Sequence, residues 1–370
     1  MAKKALLTTD DGLYHKVKKG FLTDDNAVYR KVKKAFLTVG GVYRPCWSGG
    51  ELVYWGTTPT ALSDKKTGLV ATTIGDHALF SGGKDINSNY KIVINLYDSS
   101  LTRVADRFLK TARSNHAAAT FGDLAIFAGG LGSGSITTVE AFNESLTAIN
   151  GNFSLSITRA NLAATTIGDY ALFGGGNQNA KEVVVFTKSI VKNSTTGLSK
   201  EVQYLAATTI GDHALFGGGI GSSSVSAYDK SWTKTTPTEL SVARGYLAAT
   251  TVGKYALFGG GLDTSNNSVS VVDAYDTSLT RTVPTELSVA RGYVVATTVS
   301  DYAIFAGGYS ASNRLSVVDA YDESLTRSIA TPLSKERIGH AATTVGNYAL
   351  FGGGSNANGY IDTVDVYTVV

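Results

Sequence analysis

"AATTIGDHALFGGG" (206–219) is the stretch of sequence that decides the fold, because six other segments of the chain share its pattern. In each segment a small apolar run with Thr leads to a two-residue turn, and a second apolar run ends in glycines. The turns recur every 42 to 47 residues, a period typical of β-propeller blades. The first turn residues are Gly75, Gly122, Gly168, Gly211, Gly253, Ser300 and Gly346.

One complete unit contains four candidate strands. In the fifth unit these are "LAATTV" (247–252), "YALFGGG" (255–261), "VSVVDAYD" (269–276) and "SLTRTV" (278–283), separated by turns or polar loops. Apolar β-branched runs between turn residues are typical of antiparallel strands. The sequence therefore predicts an all-β fold with seven four-stranded antiparallel blades arranged radially.

The two ends of the repeat region predict how the ring closes. The last unit stops at "VDVYTVV" (364–370), after three strands. The segment "YWGTTPTALS" (54–63) is similar to "WTKTTPTELS" (232–241), which is the fourth strand and connector of another unit. We therefore expect residues 51–57 to pair with the last blade. The predicted domains are a basic hairpin segment at 1–48 and a seven-bladed propeller at 49–370.

The repeat resembles the kelch repeat over roughly residues 50–370. The shared features are an arginine nine residues before the turn, a glycine doublet and a Tyr-Asp pair in the third strand, although Trp232 alone stands where kelch repeats have tryptophan. The resemblance implies a kelch-like propeller, and we expect its arginines to bond carbonyl groups between blades. The arginines are Arg113, Arg159, Arg244, Arg291 and Arg337.

Composition argues against several kinds of site. The only cysteine is Cys46, outside the repeats. His77 and His213 stand where other units have mainly tyrosine, and His116 and His340 stand where the other five have leucine or valine. Positions that exchange with apolar residues indicate packing rather than metal binding. Single Asp residues after strand aromatics are typical turn formers. We expect no metal, no cofactor and no catalytic residues.

Charge is distributed unevenly along the chain. Residues 1–48 hold ten Lys or Arg and four Asp, a net charge of +6, whereas the remaining residues hold 23 Lys or Arg and 26 Asp or Glu, a net charge of −3. This argues against a nucleic-acid-binding face on the propeller. No apolar run reaches the roughly 20 residues of a transmembrane helix, so we expect no membrane insertion.

Residues that vary between blades at one face are the binding candidates. In kelch propellers the segment after the repeat arginine and the loop after the glycine doublet line one mouth of the central funnel. Tyrosines beside Asn and Ser combine apolar area with polar tips, which suits binding to sugars or proteins. The candidate residues are Asn115, Asn161, Asn177, Tyr204, Tyr246, Tyr293, Tyr309 and Ser355.

Residues 3–47 form a different repeat, three copies of a 15-residue unit such as "KKGFLTDDNAVYRKV" (18–32). Short strands around turn residues predict small β-hairpins, which are marginal alone and need partners. The units resemble N-terminal segments of structural proteins from tailed phages and prophages of Gram-positive bacteria, which implies attachment to a particle. The attachment candidates are Lys18, Lys19, Lys33, Lys34, Phe21 and Phe36.

These observations predict a non-enzymatic virion structural protein of the tail, baseplate or neck, found in the virion after assembly in the bacterial cytoplasm. We expect its N-terminal repeats to bind other virion structural proteins and its propeller to recognise a host surface glycan or protein, or another virion protein. We also expect a homo-oligomer. The alternatives are a cytoplasmic kelch interaction module and, less favoured, a carbohydrate-active enzyme.

Overall fold

A computed structural model describes residues 50–370 except 135, 179 and 312, together with four N-terminal strands. Those strands form two antiparallel pairs, Phe21–Thr23 with Tyr29–Lys31 and Ala35–Val39 with Val42–Trp47. They fall in the second and third 15-residue units, as the hairpin prediction requires.

The attachment prediction concerns residues of which little is described. Lys18, Lys19, Lys33 and Lys34 lie outside the described residues, and Phe21 and Phe36 are described only by their strand pairing. The attachment role and the domain division at residues 48 and 49 stay predictions.

The rest of the described chain forms seven four-stranded antiparallel sheets and contains no helix among its described residues. This confirms the predicted propeller of seven blades. From first to fourth strand, the blades are: blade 1, Val70–Ile74, His77–Ser81, Val93–Asp98, Arg103–Phe108; blade 2, Ala117–Phe121, Leu124–Ala128, Thr138–Asn143, Phe153–Ser154; blade 3, Ala163–Ile167, Tyr170–Gly174, Val183–Thr187, Lys192–Thr195; blade 4, Ala206–Ile210, His213–Gly217, Val225–Tyr228, Lys234–Thr235; blade 5, Ala248–Val252, Tyr255–Gly259, Val272–Asp276, Arg281–Thr282; blade 6, Val295–Val299, Tyr302–Ala306, Val318–Asp322, Arg327–Ala330; blade 7, Ala341–Val345, Tyr348–Gly352, Val364–Val369, Leu52–Thr57.

Blade 7 takes its fourth strand from the beginning of the propeller sequence. Leu52–Thr57 pairs antiparallel with Val364–Val369, so that Leu52 faces Val369 and Thr57 faces Asp365. This confirms the predicted closure. Because the pairing joins residues more than 300 positions apart, it ties the two ends of the ring together.

Three further strand pairs lie in the loops of blades 5 to 7. They are Arg244–Gly245 with Leu262–Asp263, Tyr309–Ser310 with Asn313–Arg314, and Ser355–Asn356 with Gly359–Tyr360. Each lies near the start of a first strand or just after a glycine doublet, at the same face of the propeller.

First strands of successive blades lie side by side around the centre, and the last contacts the first. Paired threonine hydroxyls join them across six of the seven blade interfaces; Thr208 Oγ1 and Thr251 Oγ1, for example, are 2.8 Å apart. The pattern pairs the first Thr of one blade with the second Thr of the next. At the interface of blades 2 and 3 the first position is Ala119, which has no hydroxyl.

The glycine doublets explain how neighbouring blades approach so closely. The second glycine of each doublet donates its amide to a backbone carbonyl of the following blade, as Gly261 does to Arg291 at 2.9 Å. Gly260, the first glycine of this doublet, has a φ of +66°, and a Cβ there would lie 2.6 Å from the Arg291 carbonyl oxygen of the next blade. Only glycine fits such a position without strain. The role of the doublets is therefore conformational.

Candidate functional site

Seven equivalent residues surround the axis at the face where the first strands begin. Each lies two positions after the repeat arginine or its substitute, and each has a φ between 51° and 68°. The backbone amide of each residue in blades 1 to 6 donates to the backbone carbonyl of the equivalent residue in the preceding blade, at 2.8 to 3.0 Å. Blade 7 precedes blade 1 in this series, so the amide of Gly68 donates to Gly339. We call these residues the mouth ring: Gly68, Asn115, Asn161, Tyr204, Tyr246, Tyr293 and Gly339.

The mouth ring brings together five of the eight binding candidates. Sequence reasoning missed its two glycines, Gly68 and Gly339. They could have been found, because each lies two residues after the arginine position, as the other five do. The glycines lie in adjacent blades 1 and 7. The ring is therefore asymmetric, with three tyrosines in blades 4 to 6 facing small residues across the axis.

The three tyrosines form a continuous stack, which we call the tyrosine ladder. The ring centroids of Tyr204 and Tyr246 are 4.1 Å apart with planes at 30°, and those of Tyr246 and Tyr293 are 4.2 Å apart at 34°. Tyr309 meets Tyr293 nearly at right angles, with centroids 6.5 Å apart. Neighbouring blades thus align side chains that are more than 40 positions apart in sequence.

The ladder is held in an unfavourable backbone conformation. Tyrosine rarely adopts positive φ, and the left-handed region costs of order 1 kcal/mol or more for such a residue. Positive φ also occurs at Leu101 and Leu146, but these side chains are buried in blade cores. Tyr293, in contrast, is 37% exposed. The ladder therefore places aromatic side chains at a surface where glycine would satisfy the backbone better.

Burial raises the pKa of two of the three ladder hydroxyls. Burial is the main cause that raises the pKa of Tyr204, and burial followed by hydrogen bonding to Tyr293 raises the pKa of Tyr246. These two phenols are therefore neutral at physiological pH and can both donate and accept hydrogen bonds. All seven mouth-ring residues are uncharged.

The three remaining candidates lie one layer behind the ring. Asn177 accepts the Ala160 amide at 2.7 Å through its side chain and so supports the residue before Asn161. Tyr309 pairs its backbone with Gly292 and borders the ladder. Ser355 pairs with Ile338 and is only 7% exposed, so its side chain adds little to the mouth surface.

The arginines are structural, but the expected bonds between blades are wrong in one respect. All five guanidinium groups are fully buried and bond within their own blade and its connector. Arg291, for example, donates to the Phe305 carbonyl and forms an ion pair with Asp319 at 2.8 Å. The bond between blades is instead accepted by the arginine backbone carbonyl. The side chain is long enough to cross its own sheet, where the acid lies.

The acidic partners of these arginines were missed by sequence reasoning, although the repeat contains a signal for them. Where the arginine position is Lys66, the third strand supplies Asn95, whose Oδ1 accepts a bond from Lys66 Nζ at 2.8 Å. Where it is Val202, the aligned third-strand residue is Ser226. In blade 4 charge is therefore lost from both positions together, whereas in blade 1 a cation, Lys66, is retained opposite an uncharged amide.

The histidine prediction is confirmed for the buried pair. His116 and His340 are each 4% exposed and pack against glycines of the preceding blade, Gly82 and Gly307. The predicted turn role of the Asp residues is also confirmed: Asp276 Oδ1 accepts the amides of Ser278 and Thr280 at 2.8 and 2.9 Å. These side chains hold the scaffold together.

Within residues 50–370 as described, no three His, Cys, Asp or Glu residues cluster in a way that would hold a metal ion. That same part of the chain contains no helix long and apolar enough to cross a membrane. Comparison with known proteins found no matching family model and no similar curated protein.

Proposed function

We propose that this protein is a non-enzymatic recognition protein of a phage or prophage particle, whose propeller binds a host surface glycan at the mouth ring. The tyrosine ladder carries the proposal. Three partly exposed tyrosines in strained backbone conformations have no role in a blade core, and they form one wall of an uncharged mouth. Tyrosine is the residue type that combines contact area with hydrogen bonding at binding surfaces.

The position of the closing strand supports a division between recognition and attachment. Third strands begin at the mouth-ring face and end at the opposite face, and Leu52 pairs with Val369 at the end of the third strand of blade 7. The propeller sequence therefore begins at the face opposite the tyrosine ladder. An N-terminal attachment segment would leave the ladder pointing away from the particle.

The kelch-like repeat and the basic 15-residue units complete the proposal. Propellers generally mediate protein interactions, so a second virion protein is the alternative ligand for the mouth. A cytoplasmic interaction module remains the alternative if the N-terminal units have no particle to bind. Regularly repeated hairpins with interleaved Asp favour a folded docking element over a cationic arm that binds nucleic acid.

The ligand proposal is tested with the full chain and a variant that lacks the ladder. Purified protein is applied to a glycan array and to cell walls of Gram-positive bacteria, beside Y204A/Y246A/Y293A. We expect the wild type to bind and the variant to lose binding while keeping its melting temperature within a few degrees. No binding of the wild type to any glycan or wall would refute glycan recognition, and capture of a virion protein instead would favour the alternative.

The attachment proposal is tested by replacing the full chain with residues 48–370 during particle production. We expect the shortened protein to accumulate in soluble form and to be missing from purified particles. Incorporation at the normal level would refute attachment through the N-terminal units. Circular dichroism of the shortened protein verifies that the propeller is folded.

A further inference from the structure

The tyrosine ladder leaves little aromatic face available for a ligand. Tyr246 stacks on Tyr204 at 4.1 Å and on Tyr293 at 4.2 Å, so both of its faces are covered. Tyr293 is covered on one side by Tyr246 and is met by Tyr309 at 86°. A sugar ring that stacks on an aromatic residue needs an open face. Tyr246, the inner ring of this ladder, can offer a ligand only its edge and its hydroxyl group.

The hydroxyl groups of the ladder influence one another. Burial is the main cause of both shifts; after it, Tyr293 and Tyr204 raise the pKa of Tyr246, whereas Tyr246 and Asn161 lower that of Tyr204. Phenol groups in such a row polarise one another. Each phenol has one donor and two acceptor positions, so the row keeps capacity for a ligand.

Few charged side chains lie in the backbone segments next to the mouth ring. The residue that precedes each mouth-ring member is also uncharged: Thr67, Ser114, Ala160, Gln203, Gly245, Gly292 and Ile338. Among the loop residues that pair with them, the charged one in the described chain is Lys84 in blade 1, across the axis from the ladder. The loops after the glycine doublets of blades 4 to 6 carry one acid, Asp263, and one base, Arg314, which pairs opposite Tyr309. One charge of each sign gives no net cationic field beside the tyrosines that would select an anionic polymer.

We infer that the ladder recognises a neutral, hydroxyl-rich glycan through its row of phenol hydroxyls and ring edges, and not by stacking sugars on tyrosine faces. This inference rests on the proposed glycan-binding function. Phenol rings whose centroids are 4.1 and 4.2 Å apart carry their hydroxyls in a row, which suits a ligand that presents several hydroxyls along one side. Removing the hydroxyls from such a site leaves ligand groups unpaired, which costs more than losing apolar contact.

The test separates hydroxyl recognition from aromatic stacking. Y204F/Y246F/Y293F removes the three hydroxyls and keeps the rings, whereas Y255F/Y302F/Y348F is a matched control with the same change at second-strand starts on the opposite face. Binding is measured on an array of neutral oligosaccharides with a sulfated copy of each, at low and high salt. We expect the mouth variant to bind the neutral glycans about tenfold or more weaker, and the control to bind as the wild type does.

Two results would overturn the inference and leave glycan binding intact. One is wild-type affinity in the mouth Phe variant together with loss of binding in Y204A/Y246A/Y293A, which would assign recognition to aromatic faces. The other is preference for the sulfated copies with affinity that falls as salt rises, which would assign it to charge. Absence of wild-type binding to every glycan would instead refute the proposed function itself.

Discussion

The substitution His340→Leu tests the argument that the buried histidines are packing residues. The five blades without histidine have Leu or Val at this position, so the repeat itself shows that an apolar side chain fits against the preceding glycine doublet. His340 is 4% exposed, and its Nδ1 has no hydrogen-bond partner within the described chain. The H340L variant should therefore fold normally and be at least as stable as the wild type near neutral pH.

The magnitude of the effect follows from protonation. Burial, with Arg337 second, lowers the pKa of His340 to about 3, against 6.5 for an exposed histidine. The unfolded chain protonates this histidine more readily than the folded protein does. The free energy of unfolding is therefore not reduced by His340 above pH 6.5, and it decreases as the pH falls from 6.5 toward 3. A pH of 5 is 1.5 units below the pKa of the histidine in the unfolded chain. His340 therefore lowers the free energy of unfolding by about 2 kcal/mol at that pH. Burial also lowers the pKa of His116.

The assay is guanidinium unfolding of wild type and H340L at pH 7.5 and pH 5.0, followed by tryptophan fluorescence. We expect the wild type to lose about 2 kcal/mol more than H340L between the two conditions. H116L/H340L should be less sensitive still. Equal losses in wild type and H340L would refute the reasoning, since they would mean that His340 is solvated or protonated in the folded protein.

Three further predictions concern the scaffold. Ala119→Thr should stabilise the propeller by about 1 kcal/mol, because it supplies the missing hydroxyl between blades 2 and 3. Chemical denaturation is compared with that of Ala119→Val, which has the same shape without the hydroxyl, and equal stability of the two variants would contradict this. Asp319→Ala should lower the free energy of unfolding by about 3 to 5 kcal/mol, because Arg291 would remain buried without its ion-pair partner. R291V/D319S, which copies the residues of blade 4, should destabilise the protein less than D319A does. Thermal melts with the reverse order would be inconsistent with the pairing. Deleting residues 1–60 should lower the melting temperature of the whole propeller because blade 7 loses its fourth strand, while deleting 1–47 should not, and equal melts of the two deletions would argue against closure by this strand.

Most of the scaffold could be predicted because each blade is encoded locally. The two apolar runs around Gly211 and the Tyr-Asp pair at Tyr228 specify strands and turns within about 45 residues, and the same pattern occurs seven times. Closure was also predictable, since the segment at 54–63 repeats a fourth strand that the last unit lacks. The direction of the guanidinium groups was not, because sequence spacing does not show which carbonyl or carboxylate a long side chain reaches.

For the candidate site, the sequence by itself determined which residues vary at one face of the propeller, including Tyr204, Tyr246 and Tyr293. Only the tertiary structure decided that these three stack on one another, because that contact depends on the spacing of adjacent blades and on the left-handed backbone at each residue. The repeat fixes each tyrosine within its own blade, where no other tyrosine of the ladder is present. The ladder therefore exists only once the ring of blades places equivalent positions side by side around the axis.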